Sequence, residues 1–420
     1  MSELDPLLAE LSRCNKCGFC MTACPTYKAT GLEWHVTRGR VSLIQDAQAG
    51  ILPLAELGDA IDTCLLCNAC VGVCPPAIDI GELVTHTRAA MLAEQGGVRG
   101  VRRFIYRTLL GRPGVLHAAA RLAGAAEYLG LRDLAARSGL LRRWPLLQRA
   151  HAVGPRLSGR LARDLIDPRL QPRGPRRARV AYFIGCSKDA VFPRAARATH
   201  QVLLMNGVEV VIPRVTCCGL PAHSGGDFAG VRLLARRNLD ALERLGAVDA
   251  IVCDEGSCTA HLLDYPELLK ETPDYDRARR LAAKVQDFAA FLDALGPLPM
   301  PRAVNARLTW HDPCSLRHGL KLHEPPRRLL RRVPGATFLE ASEAEVCCGG
   351  AGAYMLTQPD LSDQVLARKM ENLAATAADY YVTASPSCAM QLERGVRERG
   401  LGARVLYLSE VLAEAYGVAD

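Results

Sequence analysis

Two cysteine runs near the start of this 420-residue chain share the spacing C-x2-C-x2-C-x3-C-P: Cys14, Cys17, Cys20 and Cys24 ahead of Pro25, then Cys64, Cys67, Cys70 and Cys74 ahead of Pro75. Three thiolates at that spacing wrap one face of an iron–sulfur cubane, while the fourth, set off by proline, points to the neighbouring cluster. The expected ligand sets are therefore crossed. Cys14, Cys17, Cys20 and Cys74 are expected on one [4Fe–4S] cluster, and Cys64, Cys67, Cys70 and Cys24 on a second. Zinc knuckles usually take paired C-x2-C units or Cys/His mixtures, which two complete four-cysteine runs closed by proline are not.

Eight further cysteines fall into two similar sets. Cys186, Cys217, Cys218 and Cys258 recur 128 to 130 residues later as Cys314, Cys347, Cys348 and Cys388, and both adjacent pairs are followed by glycine, Gly219 and Gly349. Four thiols are enough to ligate a further cluster, and Cys-Cys-Gly suits a tight turn that brings the backbone close to a bound group. The plainer reading is that these thiols only pack, cysteine being small and apolar. His223 and His311, near the paired cysteines and beside Cys314, read as hydrogen-bonded structural histidines rather than ligands or proton carriers. Cys253 has no counterpart in the second set and reads as a core thiol.

These residues need elements to hold them. The fold class expected is α+β and multidomain: an α-helical ferredoxin module, then two repeated α/β cysteine-rich domains. Residues 1–96 form the ferredoxin module, with helical patterning over Arg40 to Ala49 and Ile80 to Gln95. Residues 97–175 read as a basic connector of short amphipathic helices broken by Pro113, Pro145, Pro155 and Pro168. Residues 176–300 and 301–420 are the repeated units. In the first, strands are expected at Arg179 to Gly185, Val208 to Ile212 and Ala250 to Val252, with a helix over Arg194 to Asn206. In the second, strands are expected at Arg307 to Pro313 and Tyr380 to Thr383, with a helix over Arg327 to Arg332. Cysteines at strand ends then gather at one edge of each parallel sheet, where open α/β sheets place their sites.

The 17 cysteines are too clustered for a disulfide framework and imply a reducing compartment. Met1 to Arg13 carries acidic residues where an export signal needs positive charge, and no apolar run reaches the length of a spanning helix. The expected location is cytoplasmic, with peripheral contact at the inner face of the membrane. That contact is suggested by charge: the chain carries a net +8, and Arg99 to Arg179 holds 19 arginines against only Glu127, Asp133, Asp164 and Asp167. Such a stretch meets an acidic subunit or anionic lipid. Nucleic acid is not expected, because aromatic residues are sparse and no nucleic-acid motif accompanies the charge. No dinucleotide fingerprint, Walker A run or nucleophile elbow is present, so a flavin or nucleotide is not expected on this chain.

Cys17-Gly-Phe-Cys20 with Cys24-Pro-Thr-Tyr27, Arg38-Gly-Arg40, the two Cys-Cys-Gly modules, His311-Asp-Pro-Cys314 and Cys347-Cys-Gly-Gly-Ala-Gly-Ala-Tyr354 together resemble the iron–sulfur subunits of glycolate oxidase. The order of modules is similar to that of D-lactate dehydrogenase, lactate-utilisation and anaerobic glycerol-3-phosphate dehydrogenase iron–sulfur subunits, whose cysteine-rich domains are of the heterodisulfide-reductase type. The resemblance implies a division of labour in which a separate FAD subunit oxidises a 2-hydroxy acid such as glycolate, and this chain passes the electrons to a quinone or another acceptor. The four thiols in each cysteine-rich domain allow one or two further iron–sulfur clusters there, and the sequence leaves open whether the domains hold two, one or none. Around Cys217 to Gly226 and Gly256 to Thr259 the first module is closer to the glycerol-3-phosphate and lactate relatives. Two other classes compete with electron transfer. One is a catalytic subunit that splits a disulfide on a cluster in one repeat. The other is a redox sensor that binds a partner through its basic stretch.

Overall fold

Short apolar strands alternating with helices leave the central strands buried on both faces, and this goes with parallel sheets. In the computed structural model, which describes residues 7–139 and 143–418, there are two. Ala178–Tyr182 (β1), Val208–Val211 (β2), Ala250–Cys253 (β3) and Val285–Asp287 (β4) pair in the order β2-β1-β3-β4. Arg307–Trp310 (β5), Thr337–Leu339 (β6), Tyr380–Thr383 (β7) and Arg404–Tyr407 (β8) pair as β6-β5-β7-β8. The repeat extends to register: Ala178 lies opposite Val208 as Arg307 lies opposite Thr337. The strands β4, β6 and β8, all at sheet edges, were not among the expectations; β4 and β6, at three residues each, carry too little periodicity to stand out.

The two sheets share one core. Val180 and Val252 of the first pack with Leu308, Trp310 and Val382 of the second, under Phe288, Leu292, Val411 and Leu412 from the flanking helices. The helices Pro193–Met205 and Leu408–Tyr416 meet across this boundary, where the Ser409 hydroxyl donates to the Ala195 carbonyl at 3.1 Å. The repeats are thus held as one body by continuous apolar packing.

The N-terminal module is helical. Helices Thr37–Gln48 and Ile80–Glu94 bury Val41, Ile44, Leu83 and Val84 against Cys20, Cys24, Cys64 and Cys70. Asp79 caps the second of these by accepting from the Glu82 amide at 2.9 Å. In the connector, Pro113 and Pro145 open the helices Pro113–Tyr128 and Pro145–Val153 instead of breaking them, since proline at the first helical position forfeits no hydrogen bond. Among the described residues no helix is long and apolar enough to cross a membrane.

Candidate metal centres

In each C-x2-C loop of the two N-terminal runs one residue is driven into left-handed backbone: Lys16 and Gly18 in the first, Leu66 and Asn68 in the second, at matching positions. Bulky residues such as Lys16 and Leu66 adopt this conformation only where the surroundings over-determine it. The result is that the thiols converge. One cavity is lined by Cys14, Cys17, Cys20 and Cys74 with Arg38 and Ile78. A second is lined by Cys24, Cys64, Cys67 and Cys70 with Arg40 and Ile80. Each run therefore sends its last cysteine to the other run's cavity.

All of these thiols are free. Burial pushes the Cys70 thiol up to about 12, and burial together with the nearby Cys314 and Cys70 raises Cys67 well above the ordinary range. Thiolates gathered in so apolar a place need a bound cation for charge balance, so the donor set suits an iron–sulfur cluster better than it suits free thiols. Arg40, 2% exposed, supplies the nearest fixed positive charge to the second cavity. Its Nε donates to the Ala60 carbonyl at 2.7 Å and one Nη to Thr63 Oγ1 at 3.3 Å. Sequence reasoning used Arg40 only as a helix boundary and as part of the resemblance, because nothing in its spacing marks it as buried.

The cysteine-rich modules place their thiols at the carboxyl edges of the sheets. Cys186 follows β1, Cys217 and Cys218 follow β2, and Cys258 begins two residues into the helix Gly256–Leu263 after β3. The order β2-β1-β3-β4 puts Cys186 and Cys258 on either side of the point where strand order reverses. The four thiols touch in series, Cys186 to Cys217 to Cys218 to Cys258, and Cys253 joins at Cys258. Hydrogen bonds from Cys217 and Cys258 draw Cys218 down to about 6, while the same contacts hold Cys217 and Cys258 up. In the second module Cys314, Cys347, Cys348 and Cys388 form the equivalent series. The turn after each pair requires glycine: Gly349 has φ +80°, and a Cβ there would lie 2.7 Å from the Ser362 carbonyl oxygen.

The histidines divide. His223 stacks on His261, ring centroids 5.1 Å apart, and burial lowers it to about 4. His311 overturns its reading as a hydrogen-bonded core histidine: it is fully buried and neither ring nitrogen has a partner. Cys253 is fully buried in the first module's core, as expected.

The modules are clasped together around the second cavity. Cys67, Leu65 and Ala69 pack with Cys347, Tyr354, Leu361 and Val365, and Cys314 lies against the same cluster. Lys28 reaches Glu343 at 3.4 Å. On the other side Arg88 donates to the carbonyls of Cys64 at 3.1 Å and Ser224 at 2.8 Å, tying the second run to the first cysteine-rich module. Between the two cysteine-rich sites lies a buried charge group, with Lys188 paired to Asp254, and Tyr182 donating to the same carboxylate at 2.8 Å.

The chain matches the family model described as "4Fe-4S dicluster domain" over residues 10–78, and the one described as "Cysteine-rich domain" over 180–263 and 308–393. Over 97% of its length it is 35% identical to a Bacillus subtilis (strain 168) protein described as "Probable glycolate oxidase iron-sulfur subunit", of which it covers 94%. The chain belongs to the family of glycolate oxidase iron–sulfur subunits. It is 28% identical to the "Glycolate oxidase iron-sulfur subunit" of Escherichia coli (strain K12), over 91% of this chain and 89% of that protein. It is also 30% identical to "Lactate utilization protein A" of Oceanobacillus iheyensis, over 56% of this chain and 96% of that protein. As a member of the glycolate oxidase iron–sulfur subunit family the chain is an oxidoreductase subunit with iron–sulfur clusters, and its α+β architecture of a dicluster domain and two cysteine-rich domains is the one expected.

Proposed function

We propose that this chain is the electron-transfer subunit of a flavin-dependent 2-hydroxy-acid dehydrogenase, with glycolate as the donor oxidised to glyoxylate on a separate FAD subunit. The working units are residues 1–96 for the paired clusters, 97–175 for the basic connector, and 176–300 and 301–420 for the cysteine-rich domains. Cys14, Cys17, Cys20 and Cys74 hold one [4Fe–4S] cluster, and Cys24, Cys64, Cys67 and Cys70 the other. Cys186, Cys217, Cys218 and Cys258, and Cys314, Cys347, Cys348 and Cys388, hold further iron–sulfur centres. Bound there, the clusters supply one-electron acceptance and release.

The observation that carries this reading is that Cys67 and Cys347 are buried in one apolar cluster at the junction of two modules. The chain's residues set the path. Cys17 is exposed, so the first cavity opens to a partner, whereas Cys67 and Cys347 are buried at the junction of two modules and exclude water between them. Arg40 and Arg88 fix positive charge beside the second cavity, which favours an added electron. The connector supplies the acceptor side, a quinone in the bilayer, through its unpaired arginines and exposed apolar residues.

The test is anaerobic isolation of the tagged chain from its own host, with whatever accompanies it. Visible cluster absorbance is followed while glycolate, D-lactate, L-lactate and glycerol-3-phosphate are added in turn. Bleaching by glycolate with a flavoprotein present supports the reading. Bleaching by D-lactate or glycerol-3-phosphate reassigns the donor. No bleaching by any of them, while dithionite still reduces the clusters, defeats the hydroxy-acid assignment in favour of disulfide chemistry.

A further inference from the structure

The second cysteine-rich module contains a donor that its four thiols do not account for. His311 directly follows β5, is wholly buried, and leaves both ring nitrogens without a hydrogen-bond partner. Buried polar atoms are almost always partnered, so an orphaned one needs an unseen partner. A ring nitrogen of His311 and the Sγ atoms of Cys348 and Cys388 all lie within 4.8 Å of one another. An imidazole and two thiols converging at that range are metal ligands in type and spacing.

The first module solves the same position differently. Phe183 takes the place of His311: its amide donates to the Val252 carbonyl at 2.9 Å, as the His311 amide donates to Val382 at 2.9 Å. On the neighbouring strand the exchange runs the other way. Cys253 ends β3 with its thiol against Cys258, and Thr383 ends β7. Each module therefore has a fifth donor from the central pair of strands, a thiol in the first and an imidazole in the second. His261 in the first module is also buried with both ring nitrogens unpartnered, but it packs between the rings of His223 and Tyr265, and among the described residues only His311 converges with thiols at ligand range.

We propose that the second module holds an iron–sulfur centre of mixed ligation, with His311 on iron beside Cys348 and Cys388, whereas the centre of the first module is ligated by thiolates alone. The proposal rests on the reading that both modules hold iron–sulfur centres. Iron is favoured over zinc by place, since Cys347 and Cys314 abut Cys67 of the second cavity, and a redox-inert ion would end the path there. Neutral imidazole in place of a thiolate removes one negative charge from the centre and raises its reduction potential. The two repeats are then unequal, and the one whose thiols share the apolar cluster of Cys67 is the stronger electron acceptor.

The experiment uses the full chain, isolated anaerobically with its clusters, with and without 15N-histidine labelling. Pulsed paramagnetic resonance is recorded on samples poised across the whole reductive titration. The expected result is one centre with a strongly coupled nitrogen that responds to the label. His311→Cys is expected to lose that coupling, keep its iron, and move one midpoint to more negative potential, with the ferredoxin signals unchanged. Coupling that persists in His311→Cys, zinc in place of iron, or iron in the second module with no coupled histidine nitrogen would each overturn the proposal. Should His311→Cys fail to fold, labelling of the unchanged protein still decides. A different failure marks the underlying reading: iron content that does not fall in Cys348→Ser means the module carries no cluster.

Discussion

The hydroxyl of Tyr354 donates to the carbonyl of Thr63 at 2.9 Å, joining the residue before Cys64 to one seven positions past Cys347. The bond is buried and bridges 291 residues of chain. It closes the apolar contact of Cys67 with Cys347 at one end, as the ion pair of Lys28 and Glu343 does at the surface. Tyr354→Phe keeps the ring and is expected to cost about 1 kcal/mol in unfolding free energy, the net worth of one hydrogen bond. Tyr354→Ala also empties the contact and is expected to cost about 3–5 kcal/mol. Denaturant unfolding of the two variants checks the ratio, and equal losses would show that the ring carries no packing energy.

The crossed ligation proposed for the two clusters has a consequence that parallel ligation lacks. Cys24 belongs to the first run by sequence but lines the cavity of Cys64, Cys67 and Cys70. Cys24→Ser is therefore expected to remove the same cluster as Cys64→Ser, and the double variant to lose no more iron than either alone. Cys24→Ser combined with Cys14→Ser is expected to lose both clusters. Iron and sulfide analysis reads the outcome directly, and the reverse pattern would assign each run to its own cluster.

Much of this was legible in the sequence because cluster chemistry constrains spacing. The runs at Cys14 and Cys64 specify a wrapped cubane whatever surrounds them, and the repeat from Cys186 to Cys388 specifies two sheets because cysteines kept register over 130 positions. What was not legible depends on tertiary placement. Tyr354 and Thr63 lie in different modules, and neither sits in a pattern that announces a partner. His311 looks like any core histidine until its environment is known to lack a hydrogen-bond partner. The strands β4, β6 and β8 are recruited by neighbours already in place, which local propensity does not report.

Arg40 gives an electrostatic test that separates the two N-terminal clusters. Its guanidinium lines only the second cavity, and it is held by Ala60 and Thr63 rather than by a carboxylate. Removing this buried positive charge disfavours an added electron, so Arg40→Met is expected to shift the midpoint of the cluster on Cys24, Cys64, Cys67 and Cys70 to more negative potential and leave the other in place. The lost charged hydrogen bonds are expected to cost about 1.5–3 kcal/mol in stability. Potentiometric titration of the two signals, with Arg40→Lys as the charge-retaining control, checks both the direction and the selectivity. A shift shared equally by both clusters would mean the charge acts through the whole module.

The connector gives the last prediction, because its helices are built outward. Along Pro113–Tyr128 the exposed positions include Ala118, Leu122, Ala125 and Tyr128, followed by Leu129, while Ala120 and Gly124 face inward. Leu131 and Leu134 continue this outer surface, and Trp144 and Leu147 are exposed beyond it. Arg99, Arg102, Arg103, Arg112 and Arg137 are exposed with no ion pair among the described residues, whereas Glu127 and Asp133 are neutralised by Arg132 and Arg156. Leucines and interfacial aromatics, with only cations left free along the described residues of 99–153, match an anionic bilayer surface, where apolar burial and headgroup attraction add. The full chain is expected to sediment with vesicles containing anionic phospholipid, and to be released by salt and by Leu122→Glu with Leu129→Glu, with cluster absorbance unchanged. Sedimentation unaffected by both would place the acceptor contact elsewhere on the chain, and binding only when the flavoprotein is present would assign this face to that subunit.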